Sequence, residues 1–551
     1  MPGLRKPIEK SAEKNRSEHE PEGSKTMITR KKCVLGMALL ALPGLLSSAS
    51  ADTLRLALAG EHQSVDPHFS RTSPNQNTAS NIFETLVSVD EKMQMGPLLA
   101  TSWENINPTT WEIELKQGVT FHDGSTFDAA DVISSVERIP NVEDSPSSFI
   151  SLVSSIASIE ALSDHKLRVT TKAPAPDFME QIGGVYIIPS ELGVTIKSAD
   201  FDAGKATIGT GPYKFVSWTP NESLILKANE QYWGEVPGYS DVVIRYIPNA
   251  ASRVATLMAG DVDAIDQVPP SDVAVVKARD GLEISSSISG RMIYLHLDSD
   301  RDKTPFIKGM DGAEISNPLR DKRVRKALSL LIDRNRIVEH IMDGRAVPTG
   351  QMVPESFIGY NPEIPTPAYD VDGAKALLAE AGYPDGFSLT IHGPNDRYVN
   401  DAKVIQALSQ LFARGGLKSS VEAMPKSIYF KSASKREFSV FLVGFGTTSG
   451  NSSRGLEQVL SSYNKEAGIG TFNRGRFSNP AFDDVMARAT ATFDDDEKEQ
   501  LLKEAATIGF VEEQGVLPLY FEELIWAHSN RVAYKSGPVE RTLAADFSPV
   551  R

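Results

Sequence analysis

The amino-acid sequence predicts a mixed α/β protein with two large lobes. Short segments in which every second residue is apolar alternate with segments in which apolar residues recur at spacings of three and four, the pattern of strands alternating with helices. The chain has 551 residues, which is enough for several domains. An apolar segment at 515–527 lies near the end of the sequence, where the chain can return to an earlier sheet.

The first half of the sequence carries clear strand and turn signals. Apolar residues alternate over 54–58 and again over 111–115, and each segment predicts a strand. A turn is expected at 123–124, where Asp is followed by Gly. Asp128 in the N-cap position and Asp131 three residues later predict the start of a helix.

The second half is richer in helix signals. Apolar residues over 324–332 share one face of a predicted helix, and Asp333 is expected to cap the next one. Further elements are predicted as helices at 374–382, 401–414 and 497–509 and as strands at 388–392 and 438–443.

The charge and the cysteine content exclude several classes of function. The 57 Lys and Arg residues are outnumbered by 72 Asp and Glu residues, so the formal net charge is −15 and a basic nucleic-acid-binding surface is not expected. A single cysteine, Cys33, rules out an intramolecular disulfide and any site that needs several cysteine ligands.

The N-terminal residues have the pattern of a secretory leader. An apolar run at 33–46 follows three basic residues at 30–32, and a small-residue sequence ends at Ala51. The run is too short to cross a bilayer comfortably, and the pattern is that of a signal peptide cut after Ala51. We therefore expect translation to start at Met27 and the mature chain to begin after Ala51.

The position of the cysteine indicates where the mature protein resides. Cys33 begins the apolar run instead of ending it, so a lipid anchor on this residue is not expected. Removal of the leader takes away nine basic and five acidic residues and leaves a cysteine-free mature chain with a net charge of −19. A cysteine-free exported protein fits a bacterial periplasm.

Several segments, taken in order, also carry a family resemblance. The matching segments are SVDPHFS at 64–70, IFETLV at 82–87, LLATSWE at 98–104, LKQGVTFHDGSTFDAADV at 115–132, GTGPYKF at 209–215, NEQYW at 229–233, VRKALSLLIDRNRIV at 324–338, AKALLAEAGYPDGFSLT at 374–390 and FNRGRFSNPAFDDVM at 472–486. In these segments the chain resembles family 5 of the bacterial extracellular solute-binding proteins, the peptide, opine and nickel class that serves ABC importers. The order of the segments over most of the mature chain makes the resemblance specific.

The resemblance implies a periplasmic-binding-protein fold in which two lobes close about a hinge. The first lobe is expected at 52–293 with an inserted subdomain at about 97–205, and the second lobe at 294–514. Residues 515–551 are expected to return to the first lobe. The chain would then cross between the lobes near 291–297 and near 515–521.

The resemblance also implies a function without chemical catalysis or a cofactor. The protein would capture a solute by lobe closure and deliver it to an importer with two transmembrane permease subunits and two ATP-binding subunits. A peptide or peptide-like compound is the expected cargo, and an opine or nickel chelate is the alternative. His62 and His68 lie near the expected cleft and keep the nickel alternative open.

One segment is expected to line the ligand cleft. Peptide-binding relatives have a segment close to Gly-Trp-x-x-Asp, whose aromatic ring packs on the ligand and whose acid pairs with the amino terminus. Here Phe445 keeps an aromatic ring, but Thr448 stands where the acid would be and lacks the charge that an ammonium group prefers. Gly446, Thr447 and Asn451 belong to the loop at 446–454, which is rich in small and hydroxyl-bearing residues and suits either polar recognition or a flexible surface loop.

Four further residues are candidates for ligand contact. Ser70 and Arg71 follow the first strand, in a loop that faces the cleft in the relatives. Arg291, at the expected lobe crossing, could hold a ligand carboxylate through its two-pronged guanidinium, and Arg474 is a second candidate of this kind. Because arginines are mostly exposed, a surface position is the alternative for both.

A remote enzymatic alternative is a secreted hydrolase of the penicillin-recognising type. Its three short motifs have counterparts at 432–435, 449–451 and 535–537. Only 17 positions separate the first two motifs, too few for the helical domain that normally lies between them. The sequence also lacks a phosphate-binding P-loop, so ATP hydrolysis would belong to partner subunits.

Overall fold

A computed structural model describes residues 53–90, 93–447 and 449–550. The expected leader and Thr448 lie outside the described residues. The strands β1 to β20 are Thr53–Leu58, Val87–Val89, Met95–Pro97, Ala100–Asn107, Thr110–Leu115, Ile156–Ser163, Lys166–Thr171, Tyr213–Thr219, Ser223–Ala228, Asp241–Tyr246, Ala264–Ile265, Leu282–Leu297, Ile307–Lys308, Ala346–Pro348, Ser388–Pro394, Lys418–Met424, Val440–Gly446, Leu517–Ser529, Val532–Tyr534 and Phe547–Pro549.

Helices occupy much of the chain between the strands. The α-helices α1 to α15 are Ser73–Ile82, Ala129–Arg138, Ile150–Val153, Phe178–Ile182, Ser198–Asp202, Ala250–Ala259, Val273–Lys277, Lys322–Leu330, Arg334–His340, Val371–Glu380, Asp401–Arg414, Lys426–Ser434, Ser453–Leu460, Pro480–Ala489 and Asp495–Ala506. A π-helical turn at Thr507–Glu512 continues α15.

A twelve-stranded sheet connects most of the molecule. Its main path is β13-β15-β17-β12-β18-β11-β1-β10-β9-β8, and β14 and β16 pair with β18 and β15. The first strand, β1, lies parallel to β10 and β11, and its three leucines are buried as the alternation predicts. The C-terminal apolar segment forms β18 in the middle of this sheet, which confirms that the chain returns to an earlier sheet.

A separate four-stranded antiparallel sheet, β4-β5-β7-β6, lies within the region expected as the inserted subdomain. This sheet packs into the same hydrophobic core as β1 and β10. A second core surrounds α8 and α11, and a third core surrounds α13 to α15. The helices α6 and α7 enclose a fourth, smaller core.

Most local predictions are confirmed, although several boundaries differ by two or three residues. Asp128 and Asp131 form a complete capping box at the start of α2, and Asp333 caps α9. The helix predicted at 497–509 begins earlier, since the Asp494 side chain accepts a hydrogen bond from the Glu497 amide, and its last residues belong to the π-helical turn. The strand predicted at 438–443 instead spans 440–446, because β12 pairs with it as far as its last residue.

Candidate functional site

The long strand β12 changes its surroundings in the middle. It pairs with β18 along most of its length but with β17 only from Arg291 onward. Its register against β18 shifts between Ile288 and Met292, so Arg291 lies at a bulge. A bulge redirects the side chains next to it. Arg291 is opposite Gly446, and Met292 is opposite Phe445.

Gly444 leaves space for the Arg291 side chain. A Cβ atom at Gly444 would lie 2.7 Å from Cδ of Arg291 and 3.0 Å from the ring of Tyr398. The amide of Gly444 donates a hydrogen bond to the Tyr398 hydroxyl at 2.8 Å. The glycine therefore lets an arginine, an aromatic ring and the β17 backbone meet at one point.

Two arginines share one carboxylate at this point. Glu540 forms an ion pair with Arg291, and its carboxylate lies 3.3 Å from Nη2 of Arg397. Burial alone would raise the pKa of Glu540, but the two guanidinium groups hold it well below its ordinary value. Glu540 is therefore ionised, and the group of three side chains keeps a net positive charge.

Aromatic side chains form a surface on the other face of β17, since Phe445 packs with the core around α13 to α15 and Tyr398 packs with the core around α8 and α11. The rings of Phe445 and Phe472 are 5.3 Å apart in an edge-to-face arrangement. The Arg474 guanidinium lies over the Phe472 ring at 5.4 Å from its centre. Because Phe472 is 40% exposed, this surface can contact an apolar part of a ligand.

The loop after β17 turns towards the region expected as the inserted subdomain. Gly446 is exposed, whereas Thr447 is buried and donates a hydrogen bond to the carbonyl of Asn451 at 3.0 Å. The amide nitrogen of Asn451 lies 2.5 Å from a carboxylate oxygen of Glu180. Asn451 thus joins two distant parts of the chain. The expected role of Thr448 falls outside the described residues.

Ser70 and Arg71 are anchored within the first half of the chain. Ser70 is buried and forms an isolated β-bridge with Ser147. Arg71 donates from Nη1 to the Ser151 hydroxyl at 2.9 Å. Burial and the positive charge of Arg454 together lower the pKa of Arg71 to about 10. Arg71 thus faces a second arginine from the other half of the chain.

The structure brings only some of the expected site residues together. Arg291, Phe445 and Gly446 lie on paired strands, with Arg474 next to the same aromatic surface. The sequence interpretation missed Arg397, Glu540 and Phe472. For Arg397 a signal was available, since it follows shortly after the end of β15, where a loop meets the sheet edge.

The two histidines that kept the nickel alternative open, His62 and His68, are held by hydrogen bonds. Nδ1 of His62 lies 3.0 Å from both the Thr78 and the Tyr246 hydroxyls, and Nδ1 of His68 lies 2.9 Å from Arg138. Burial lowers the pKa of each imidazole to about 4, so both are neutral near pH 7. In the described part of the chain, no three His, Cys, Asp or Glu side chains converge as a metal site.

A family model for the bacterial extracellular solute-binding proteins, family 5 (middle region), matches residues 94–467. The chain belongs to this family. Its members are transport receptors without enzymatic activity, so the hydrolase alternative falls away. They act as substrate-binding components of ABC importers and bind peptides or other small ligands.

Curated and structural relatives agree with this family. The glutathione-binding protein GsiB of Salmonella paratyphi A is 28% identical over 508 residues, covering 90% of this chain and 94% of GsiB. The periplasmic binding protein DppA of Helicobacter pylori in complex with peptide STSA has a TM-score of 0.77 at 24% identity, covering 90% and 98%. NikZ of Campylobacter jejuni in complex with Ni(L-His) has a TM-score of 0.76 at 22% identity, covering 90% and 99%.

These structures confirm the expected two-lobed periplasmic-binding-protein fold of this family 5 protein. Among the helices of the described ranges, none has the length and apolar character to cross a membrane.

Proposed function

We propose that this protein captures a peptide or peptide-like solute through a carboxylate group and delivers it to an ABC importer. The importer would contain two transmembrane permease subunits and two ATP-binding subunits. The observation that carries the proposal is the convergence of Arg291 and Arg397 at the middle of the central sheet. Arginine presents paired donors that match the geometry of a carboxylate. Peptides and glutathione, the ligands named for DppA and GsiB, carry such a group.

Both guanidinium groups retain donors for a ligand. Arg397 contacts Glu540 through Nη1 and Nη2, and its Nε has no hydrogen bond to a described residue. Arg291 contacts Glu540 through Nη1. A ligand carboxylate would therefore add to the existing pair and, below pH 7, where the neighbouring Glu522 is protonated, balance the second positive charge.

The ligand would lie between the two lobes. We place the first lobe at 52–293 and 515–551, with its subdomain at about 97–205, and the second at 294–514. The residues proposed to line the cleft are Ser70, Arg71, Arg291, Arg397, Phe445, Gly446, Thr447, Thr448 and Arg474. Asn451, the remaining sequence candidate, is placed outside the cleft because its side chain bonds to Glu180 and to the Ser453 amide. Contacts from both lobes would favour the closed state and shift the population towards it.

The carboxylate end of the ligand is the better recognised end in this proposal. Thr448 has no charge to offer an ammonium group, whereas two guanidinium groups are available for an anion. A nickel chelate or an opine that carries a carboxylate could use the same arginines. The carboxylate is thus the shared chemistry of the proposed cargo and its alternative.

The proposed location is the periplasm, reached after cleavage behind Ala51 and without a lipid anchor. N-terminal sequencing of protein purified from its own periplasm should then begin at Asp52. Retention of Cys33 in the purified protein would contradict this part of the proposal.

Calorimetric titration tests the cargo. The peptide Ser-Thr-Ser-Ala, glutathione and the nickel–histidine complex are titrated, together with the C-terminal amide of the peptide. A charged hydrogen bond contributes about 1.5–3 kcal/mol, so the amide should bind at least about tenfold more weakly than the acid. The Arg397→Gln variant should bind the peptide acid about tenfold more weakly than wild type does. The control variant Arg320→Gln, at an exposed arginine, should bind it as tightly as wild type does.

Equal binding of the acid and the amide would contradict recognition through the carboxylate. Binding of the nickel complex alone would favour the nickel-chelate alternative, and binding of none of these ligands would contradict the proposed cargo class.

A further inference from the structure

Away from the arginine pair, one short helix of the proposed first lobe contacts residues of the proposed second lobe. Asp177, just before α4, and Glu180, within α4, belong to the proposed inserted subdomain. Opposite them lie Asn451, Ser453 and Lys498, which belong to the proposed second lobe.

Three polar contacts connect these residues. Asp177 forms an ion pair with Lys498, and its other carboxylate oxygen accepts a hydrogen bond from Ser453 at 3.2 Å. The Asn451 amide donates to Glu180 at 2.5 Å. The paired residues are at least 271 positions apart in the sequence, so tertiary structure alone brings them together.

The Asn451 side chain is oriented for this contact. Its carbonyl oxygen accepts a hydrogen bond from the Ser453 amide at 2.9 Å, so its nitrogen must point towards Glu180. The Asp177–Lys498 pair is also sheltered, with the two side chains 19% and 12% exposed. A pair that is partly withdrawn from water is worth more than an exposed one.

The backbones also approach closely beside these contacts. Gly450 has a φ of +68°, and a Cβ atom on it would lie 2.3 Å from the carbonyl oxygen of Met93. The rings of Trp111 and Phe493 lie 6.4 Å apart on the same side. The two proposed lobes therefore pack closely against each other beside the polar contacts.

The charges at this contact are balanced between the lobes. Arg71, Asp177 and Glu180 come from the first lobe, and Arg454, Glu457 and Lys498 come from the second, so three cationic side chains face three carboxyl groups. Burial, with the Asp177 carboxylate next to it, raises the pKa of Glu180 to about 7. Burial also raises the pKa of Glu457 and lowers that of Arg454. Closure thus withdraws several charges from water.

We propose that Asp177, Glu180, Asn451 and Lys498 form an interlobe clasp that stabilises the closed state without touching the ligand. Its bonds join residues of different lobes, and hinge opening would separate them. The affinity for a ligand that binds the closed state depends on the population of that state. The clasp residues are thus positioning residues that set affinity from outside the cleft, an inference that rests on the proposed capture by closure.

The test measures closure directly and through binding. Asp177→Asn and Lys498→Met are compared with wild type and with Lys303→Met, which removes an exposed ion pair to Glu314 that lies within one lobe. The readouts are the radius of gyration of the ligand-free protein by X-ray scattering and the dissociation constants of Ser-Thr-Ser-Ala and glutathione. Each clasp variant should have a larger radius and bind the probe about tenfold more weakly, and Lys303→Met should match wild type.

A charge exchange distinguishes a clasp from a general loss of stability. The double variant Asp177→Lys with Lys498→Asp restores the pair in the opposite sense and should recover affinity to within about threefold of wild type. Failure of this rescue while both single variants bind weakly would overturn the clasp. It would also be overturned if both single variants matched Lys303→Met in radius and in affinity.

The two proposals fail differently. If neither probe binds wild type but the clasp variants have larger radii, the cargo proposal fails and the clasp is supported. If the probes bind wild type and all clasp variants equally and the radii are unchanged, the clasp fails and the cargo proposal is supported.

Discussion

Neutralising Glu522 should stabilise the protein in a way that depends on pH. Glu522 lies in β18, is 1% exposed and accepts a hydrogen bond from the amide of Val399 at 2.9 Å. Burial raises its pKa to about 7 from an ordinary value of 4.5; Arg291 opposes this shift and Glu540 adds to it. The folded protein therefore holds a proton on Glu522 over a pH range in which the unfolded chain has lost it.

The sign and size of the effect follow from this difference. Below pH 4.5 Glu522 is protonated in both states and has no cost, whereas above pH 7 it is ionised in both states and the nearby arginines offset the cost of its burial only in part. One pKa unit corresponds to about 1.4 kcal/mol, so stability should fall by about 3 kcal/mol between these limits. Glu522→Gln keeps an acceptor for the Val399 amide and removes the charge. The variant should be about 3 kcal/mol more stable than wild type at pH 8 and less than about 1 kcal/mol more stable at pH 5.

Urea unfolding followed by tryptophan fluorescence at pH 5 and pH 8 measures both values. Glu523→Gln is the matched control one residue along the strand, since Glu523 pairs with Arg345 at 3.0 Å. Loss of that pair should cost at most about 1 kcal/mol at either pH. An equal gain for Glu522→Gln at the two pH values, or no gain at pH 8, would refute the argument.

Three other substitutions test packing and the cleft. Arg138→Met removes one member of a fully buried pair with Asp66 and should cost about 3–5 kcal/mol in the free energy of unfolding, measured by urea unfolding. Gly475→Ala would place a Cβ atom 2.1 Å from the carbonyl oxygen of Leu297, so its melting temperature should fall clearly below wild type. Phe445→Ala should weaken calorimetric binding of Ser-Thr-Ser-Ala by about tenfold or more while leaving the melting temperature within a few degrees.

The predictions that succeeded depend on local signals. The capping box needs only Asp128 and Asp131, three residues apart, and the helix at 401–414 follows from the spacing of its own apolar residues. The strand at 54–58 likewise shows its alternation without reference to its partners. The signals for such elements lie in residues that are close together in the sequence, so the sequence alone predicts them.

The misplaced end of β17 shows where local signals fail. The strand β17 extends to Gly446 because Arg291 of β12 lies opposite its last residue. Nothing in the residues after 443 reads as a strand, since two glycines flank Phe445 and glycine is depleted in strands. Pairing with a distant strand therefore overrides the local preference.

The charged clusters are harder still to predict for the same reason. Arg291 reads in the sequence as an isolated arginine, yet its partner Glu540 comes from the C-terminal segment and Arg397 from the loop after β15. A buried charge is tolerated only when opposite charges are brought to it, so these residues are compatible with the interior only in the complete fold. The proposed clasp goes one step further, because Asp177 and Lys498 meet only when the lobes are also together. The residues that we propose for ligand capture and closure are thus those whose surroundings depend most on the assembled structure. A search of single segments for unpaired charges would find no partner for Arg291 or for Asp177, although the complete fold supplies one to each.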